Sequence, residues 1–504
     1  MLVRPHRSRA VTAAVAAGAA ALVGFSSPTA TAAPVPGTTV ATTTTAVAAP
    51  VTAQADILDR VRAVPGVTKV TEATAPEGYR FFLIDFTQYR DQRHPKEGTF
   101  TQRLSLLHKS DDRPMVMYTS GYGLSTRASR SEPTQIVDGN QLSMEYRFFN
   151  TSIPTTPDWD EELTIWQAAT DQHRIIEAFK SIYTENWLTT GGSKGGMTAT
   201  YHRRFYPKDV SGTIPYVAPN DVVDGQDVYD EFLANVGNDA SCRDALTAVQ
   251  RRALGTDRQW FLDRLAQLTK EEKLTWTITG GMEQAFEAAV VDYYFAFWQY
   301  SLQSDCADVP DAATATNEQL WEHLDAVAGM SFYADQTLSN YVPYYYQAAY
   351  QMGSPEPYED RIADLLKYPG FNTAESFVPS ALRPVVDDTK AMPDVDRWVR
   401  LRSTEMLYVY GSNDPWSAEP FTCGREASAE RRECYRFYVD GGNHGAKIAQ
   451  LPAPERTFAT QKVLEWAGLT DADPVAKKVK KNGRWSTNNQ LDRPEIRGRA
   501  LGRR

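Results

Sequence analysis

The chain has 504 residues, of which 42% are hydrophobic and 23% charged, and a formal net charge of −10. That length accommodates a large catalytic domain with a sizeable insertion, and the composition is that of an ordinary globular enzyme. The acidic balance excludes a protein that works by wrapping nucleic acid in a basic field. No H-E-x-x-H or C-x-x-C occurs, and the glycine-rich stretch 191–196 lacks the Gly-Lys-Ser/Thr ending of a phosphate loop. No metal and no cofactor are therefore expected.

In chain order, Arg4, Arg7 and Arg9 precede a small apolar run over residues 10–25, and Ala30-Thr31-Ala32 fits an A-x-A cleavage site. Residues 1–32 read as an export signal for the general secretory route, since no Arg-Arg pair is present. The run is shorter than the roughly 20 residues of a membrane span, so a retained anchor is the weaker reading and no membrane span is expected. Residues 33–53, rich in Ala, Thr, Pro and Val, read as a linker or pro-segment. A secreted, extracellular protein with four cysteines suggests disulfides; of three connectivities, local pairing is chosen, Cys242 with Cys306 and Cys423 with Cys434.

Apolar runs and alternation predict strands over 79–86, 99–108, 114–119, 142–149, 186–190, 210–217, 405–410 and 435–439. Helical spacing predicts helices over 160–183, 197–205 and 455–466. Strand and helix alternate as in a parallel, doubly wound sheet, but residues 220–394 carry only helical patterns rich in aromatics. The expectation is an α/β-hydrolase fold in two parts, 54–219 and 395–470, with 220–394 as an inserted helical cap. The basic tail, 471–504, is expected to be solvated and mobile.

Gly191-Gly192-Ser193-Lys194-Gly195 fits the nucleophile elbow G-x-S-x-G and lies between a predicted strand and a predicted helix, the context the motif requires. A serine hydroxyl needs an adjacent base and an acid that orients it. In this fold the order is Ser, then acid, then His. His202 falls on the elbow helix and His323 in the cap; His444, in the loop Asp440-Gly441-Gly442-Asn443-His444-Gly445 after a strand, is the candidate base. Asp414, after the strand at 405–410, is the candidate acid; Asp440, its rival, reads as the end of its own strand. The oxyanion hole should use the amide of Lys194 and one from Gly121-Tyr122-Gly123, with Gly121 and Tyr122 the candidates. The Lys194 side chain is expected to face solvent or a counter-ion.

Together with Glu145-Tyr146-Arg147-Phe148-Phe149, Phe100-Thr101-Gln102-Arg103, the elbow with its trailing Gly196-Met197, and Asp414-Pro415-Trp416-Ser417, the chain resembles the secreted bacterial prolyl tri- and tetrapeptidyl aminopeptidases. That family is related to lysosomal prolylcarboxypeptidase and dipeptidyl peptidase II. The similarity runs over about residues 78–468. It implies a serine exopeptidase, proline before the cut, and a proline pocket lined by Met197 and Trp416; an apolar, aromatic-walled slot suits a pyrrolidine ring. The lysosomal relatives carry Tyr where this chain has Lys194. Peptides with free N-termini are the expected partners, and a monomer the expected form. Capture of an ammonium favours carboxylates in a closed cleft: Glu145 is one candidate, and Glu283, Glu287 and Asp292 are others. Tyr341, Tyr344, Tyr345 and Tyr346 suit a groove wall or cap–body packing equally. The runner-up functions are a secreted esterase or lipase on the same fold, and an inactive hydrolase-fold adhesion protein.

Overall fold

The computed structural model describes residues 55–222, 228–383, 388–483, 485, 488 and 490–492. The expected export signal and linker lie outside the described residues. Nine strands form one sheet in the order β1-β2-β3-β5-β4-β6-β7-β8-β9. They are β1 (Val67–Ala73), β2 (Arg80–Tyr89), β3 (Thr99–His108), β4 (Met115–Thr119), β5 (Asn140–Met144), β6 (Trp187–Gly192), β7 (Gly212–Tyr216), β8 (Met406–Gly411) and β9 (Cys434–Val439). β1, β2, β3 and β5 pair antiparallel; from β5 across to β9 every pairing is parallel.

Period-two side-chain alternation lets the sheet bury both faces. On β8, Met406, Tyr408 and Tyr410 join one apolar layer while Leu407 and Val409 join the other. The first layer is closed by helices Ile165–Phe179, Lys194–Phe205 and Ala391–Arg402, and the second by Glu132–Val137, Ala453–Trp466 and Pro474–Asn482. Parallel strands covered by helices on both sides put the loops at their carboxyl ends in one crevice, where α/β proteins bind ligands.

Between β7 and β8 the regular elements among the described residues are all helices, as the cap expectation requires. This insertion has an apolar core of its own around helix Met282–Tyr300, in which every residue from 285 to 299 is buried. A helix apolar all round serves as the centre of a bundle. Cys242 bridges Cys306 inside the insertion, and Cys423 bridges Cys434 beside β9, as expected.

Four local expectations need correction. The strand expected to run on to residue 149 ends at Met144, and Phe148 and Asn150 adopt positive φ (70° and 47°). There the chain turns inward to bury Arg147, which forms a bidentate ion pair with the equally buried Asp171. The helix expected over 160–183 is two, Trp159–Glu162 and Ile165–Phe179, because Thr164 caps the second by accepting from the Gln167 amide at 3.2 Å. Helix Ile57–Arg62 and strand β1 precede the first predicted strand. Finally, described residues of the tail are docked: Asp473 pairs with Arg113 at 3.0 Å, Arg130 with Asp492 at 2.6 Å, and Leu491 is buried beside Phe81 and Leu107.

Candidate active site

Because β4 and β6 are neighbours in register, with Tyr118 opposite Thr190, the loop after β4 lies against the turn after β6. Ser193 occupies that turn with φ 56° and ψ −129°, immediately before helix Lys194–Phe205. A side chain at positive φ is strained and persists only where its surroundings hold it. They do so through glycines. A Cβ on Gly191 would strike the carbonyl oxygens of Gly195 and Thr119, one on Gly195 the Thr119 oxygen, and one on Gly196 would come within 2.9 Å of the Tyr216 oxygen. The elbow motif is thus a requirement of backbone packed on backbone.

At the ends of β8 and β9 the structure brings together the two other predicted residues. His444 Nδ1 lies 2.8 Å from Asp414 Oδ2. The Asp414 carboxylate is fully buried and accepts further bonds from Ser417 Oγ (2.8 Å) and the Trp416 amide (3.2 Å), a set that fixes its orientation. Nε2 of His444 is buried and meets no protein partner among the described residues, so the ring's second nitrogen is available for proton transfer. Asp440 is exposed, and His202 is committed to Asp209 at 2.9 Å. The His444 loop is tied to the insertion: the His444 amide donates to the Gln299 carbonyl (3.0 Å), and Asn443 Nδ2 to the carbonyls of Tyr300 (3.0 Å) and Ser301 (3.2 Å). These are the last carbonyls of helix Met282–Tyr300 and the residue after it, the groups a helix end leaves without internal partners.

Of the expected oxyanion donors, the Lys194 amide heads the elbow helix and meets no acceptor among the described residues. The Gly121 amide does not fit the expectation, since it is turned to Thr119 Oγ1 at 3.0 Å. The Tyr122 amide likewise donates within its loop, to Ser120 Oγ at 3.2 Å, and must leave that bond to serve the hole. Contrary to expectation, the Lys194 side chain is buried, its Nζ donating to the Gly121 carbonyl at 2.9 Å above the Tyr146 ring.

Glu145 is no ammonium anchor. Its carboxylate is fully buried and saturated by Arg103 (3.0 and 2.5 Å), Asn150 (2.7 Å), Ser152 (2.8 Å) and the Leu124 amide (3.1 Å). Burial opposes its charge, but these donors, Arg103 foremost, hold its pKa below the usual range. It braces the loop after β4 instead. Its partner Arg103 stands in the Phe100-Thr101-Gln102-Arg103 motif, which was the one sequence signal for this role. Glu283 and Glu287 are likewise engaged by Arg258 and the Lys367–Tyr368 segment. Asp292, buried on the long insertion helix, accepts from Tyr358 Oη at 2.8 Å.

Met197 is buried on the elbow helix. Trp416 is half-buried and meets Phe295 edge-on at 5.1 Å and Tyr229 at 6.4 Å, forming an aromatic wall between the Asp414 loop and the insertion. Tyr341 and Tyr344 approach Tyr122 at 6.2 and 5.8 Å, and Tyr345 contacts Tyr344 at 5.1 Å and Phe377 at 4.9 Å. Tyr346 bonds Asp160 and packs on Trp159, joining insertion to body.

The chain matches the family model of PS-10 peptidase S37 over residues 50–496. It is 52% identical over 427 residues, 84% of this chain and 88% of the relative, to a prolyl tri/tetrapeptidyl aminopeptidase of Streptomyces mobaraensis. Among solved structures it is similar to a proline iminopeptidase of Mycobacterium smegmatis, at 12% identity over 79% of this chain and 99% of the other, TM-score 0.31. It is also similar to a peroxisomal α/β-hydrolase of Saccharomyces cerevisiae, at 10% identity over 84% and 100%, TM-score 0.31. The strand order, the elbow turn and the helical insertion place the chain in the α/β-hydrolase fold. With its elbow serine, its paired histidine and aspartate, and a match along nearly its whole length, the chain belongs to the PS-10 peptidase S37 family of serine peptidases.

Proposed function

We propose that this chain is an exported, monomeric exopeptidase that removes tri- or tetrapeptides from free N-termini by cutting after proline. The single observation that carries the reading is the 52% identity, over 84% of the chain, to a prolyl tri/tetrapeptidyl aminopeptidase. Ser193 is the nucleophile: His444, held in one tautomer by Asp414, takes its proton through Nε2 and then delivers it to the leaving amine, leaving an acyl-enzyme that water resolves. The amides of Lys194 and Tyr122 receive the oxyanion. Met197 and the Trp416–Phe295 wall take the proline ring, an apolar surface matched to a group with no N–H to satisfy. Export is supported by the pairing of all four cysteines, which favours an oxidising compartment.

The triad has no use for a distant ammonium, so dependence on a free N-terminus needs a separate anchor. Glu145, Glu283 and Glu287 are held in ion pairs by arginines; the assignment goes to Asp292 on its position, since it accepts from Tyr358 Oη and stands one helical turn from Phe295 on the buried helix that backs the aromatic wall. Comparing Ala-Ala-Pro-anilide with its N-acetyl form tests this. Loss of a charged hydrogen bond should lower kcat/KM by roughly ten- to a hundredfold on acetylation, and Asp292→Asn should shrink the gap. Equal cleavage of the two peptides, or internal cuts in long blocked ones, would establish an endopeptidase.

A further inference from the structure

The most unusual group near the site is one the chemistry above does not use, the Lys194 amine. Its side chain is buried, no carboxylate lies within ion-pairing distance among the described residues, and burial alone pushes its pKa well below the ordinary lysine value. A buried cation without a counter-charge is costly. A neutral amine, however, still donates hydrogen bonds, and this one has a defined acceptor, the Gly121 carbonyl at 2.9 Å. The face of Tyr146 closes over it, the ring centroid 3.2 Å from Nζ, with Phe149 and Tyr122 at 5.5 and 5.7 Å.

We infer that the Lys194 side chain is a positioning residue: its bond to the Gly121 carbonyl sets the plane of the Gly121–Tyr122 peptide and so keeps the Tyr122 amide, which here donates to Ser120 Oγ at 3.2 Å, poised to turn to the oxyanion. A trans peptide is planar, with C=O and N–H pointing opposite ways, so pinning one end orients the other. Gly121, at φ 78°, is pressed against the elbow, where a Cβ would lie 2.7 Å from the Gly195 nitrogen and 2.9 Å from Lys194 Cγ. The far end of the loop is held where the Leu124 amide donates to Glu145 at 3.1 Å. The Tyr146 amide donates to the Tyr122 carbonyl at 2.9 Å, so the next peptide is fixed too. What would otherwise let the Gly121–Tyr122 peptide turn is a buried carbonyl with no donor, and Lys194 supplies that donor. One residue thus contributes its amide to the hole directly and its side chain to the second donor.

The inference rests on the reading that Ser193 is the nucleophile, and the experiment separates the two. Lys194→Met keeps the unbranched apolar stem and removes the donor; kcat is normalised to sites titrated by a phosphonate. We expect kcat to fall roughly ten- to a hundredfold with KM nearly constant. Affinity for Ala-Ala-prolinal, whose adduct places an oxygen in the hole, should fall in parallel, while affinity for the product Ala-Ala-Pro stays within about twofold. Lys194→Gln, with a donor one atom nearer the backbone, should fall between the parent and Lys194→Met in both readouts; it also serves if the methionine variant does not fold. Unchanged kcat and aldehyde affinity, or equal losses for aldehyde and product, would overturn the positioning role while leaving Ser193 in place. If the aldehyde fails to inhibit the parent enzyme, or the phosphonate labels another residue, the nucleophile assignment falls and the positioning role falls with it.

Discussion

The turn that carries Ser193 is set by main chain packed on main chain within the sheet, whereas the loop that carries His444, though it too rests on β8 at Gly411, is also bonded to the last carbonyls of an insertion helix. The first arrangement has no spare volume: β4, β6 and the elbow helix meet through glycines that admit no Cβ. The second shares one such contact, since a Cβ on Gly411 would lie 2.4 Å from the carbonyl oxygens of Gly442 and Asn443, but adds three hydrogen bonds across two separately cored regions. Nucleophile geometry is therefore a property of the sheet alone, and base geometry a property of the sheet and of how the insertion seats on it. A perturbation of the insertion should reach the base first and spare the nucleophile.

Four substitutions would break or sharpen that contrast. Ser193→Ala removes the proposed nucleophile and should lower kcat on the order of a millionfold with the fold intact; circular dichroism with an anilide assay checks both. Gly195→Ala tests the sheet side without touching a reactive group. Its new methyl meets the Thr119 oxygen and, at 2.8 Å, the Ser120 carbonyl carbon, and urea unfolding should show a loss of roughly 3 kcal/mol or more, with activity falling alongside.

Asn443→Ala tests the insertion side by deleting two of the three ties. We expect kcat about tenfold lower, with slower phosphonate labelling and little change in melting of the sheet; a loss of stability as large as that of Gly195→Ala would erase the contrast. Asp209→Asn has the smallest effect on activity and should be felt in stability alone. Burial would raise the Asp209 pKa, but hydrogen bonds from His173 and His202 outweigh it and hold the group at about 2. A depressed folded pKa contributes stability above the unfolded carboxyl range near 4 and loses it as pH falls through about 2. The variant should therefore lose on the order of 2 kcal/mol at neutral pH, show a flatter stability curve between about pH 4 and pH 2, and keep its kcat.

Much of this was legible in the sequence where a local rule applied. The run at 99–108 alternates and is β3, and the elbow announced itself by small residues between strand and helix. The base emerged because so few histidines follow Ser193, and the acid from its place after a strand. What stayed hidden depends on partners far along the chain. Charged side chains are placed outside by default, so nothing local to Lys194 signalled that Gly121, 73 residues earlier, would draw it inward. Glu145 followed a strand pointing at the site, yet Arg103 turned it into a brace. The tail is polar enough to read as solvated, but Asp473 and Asp492 find arginines more than 300 positions away.

The ties between the His444 loop and the insertion end on backbone carbonyls at Gln299, Tyr300 and Ser301. Main-chain oxygens are blind to the side chains beside them, so these three positions can drift in identity during evolution without disturbing the base. Helix length is another matter. One residue added to or removed from Met282–Tyr300 would rotate its final turn by about 100°, swinging those oxygens off the loop. In this chain, substitution and changes to the insertion's peripheral loops therefore leave the base undisturbed, while the count of residues along the central helix is tied to the position of a histidine in the body.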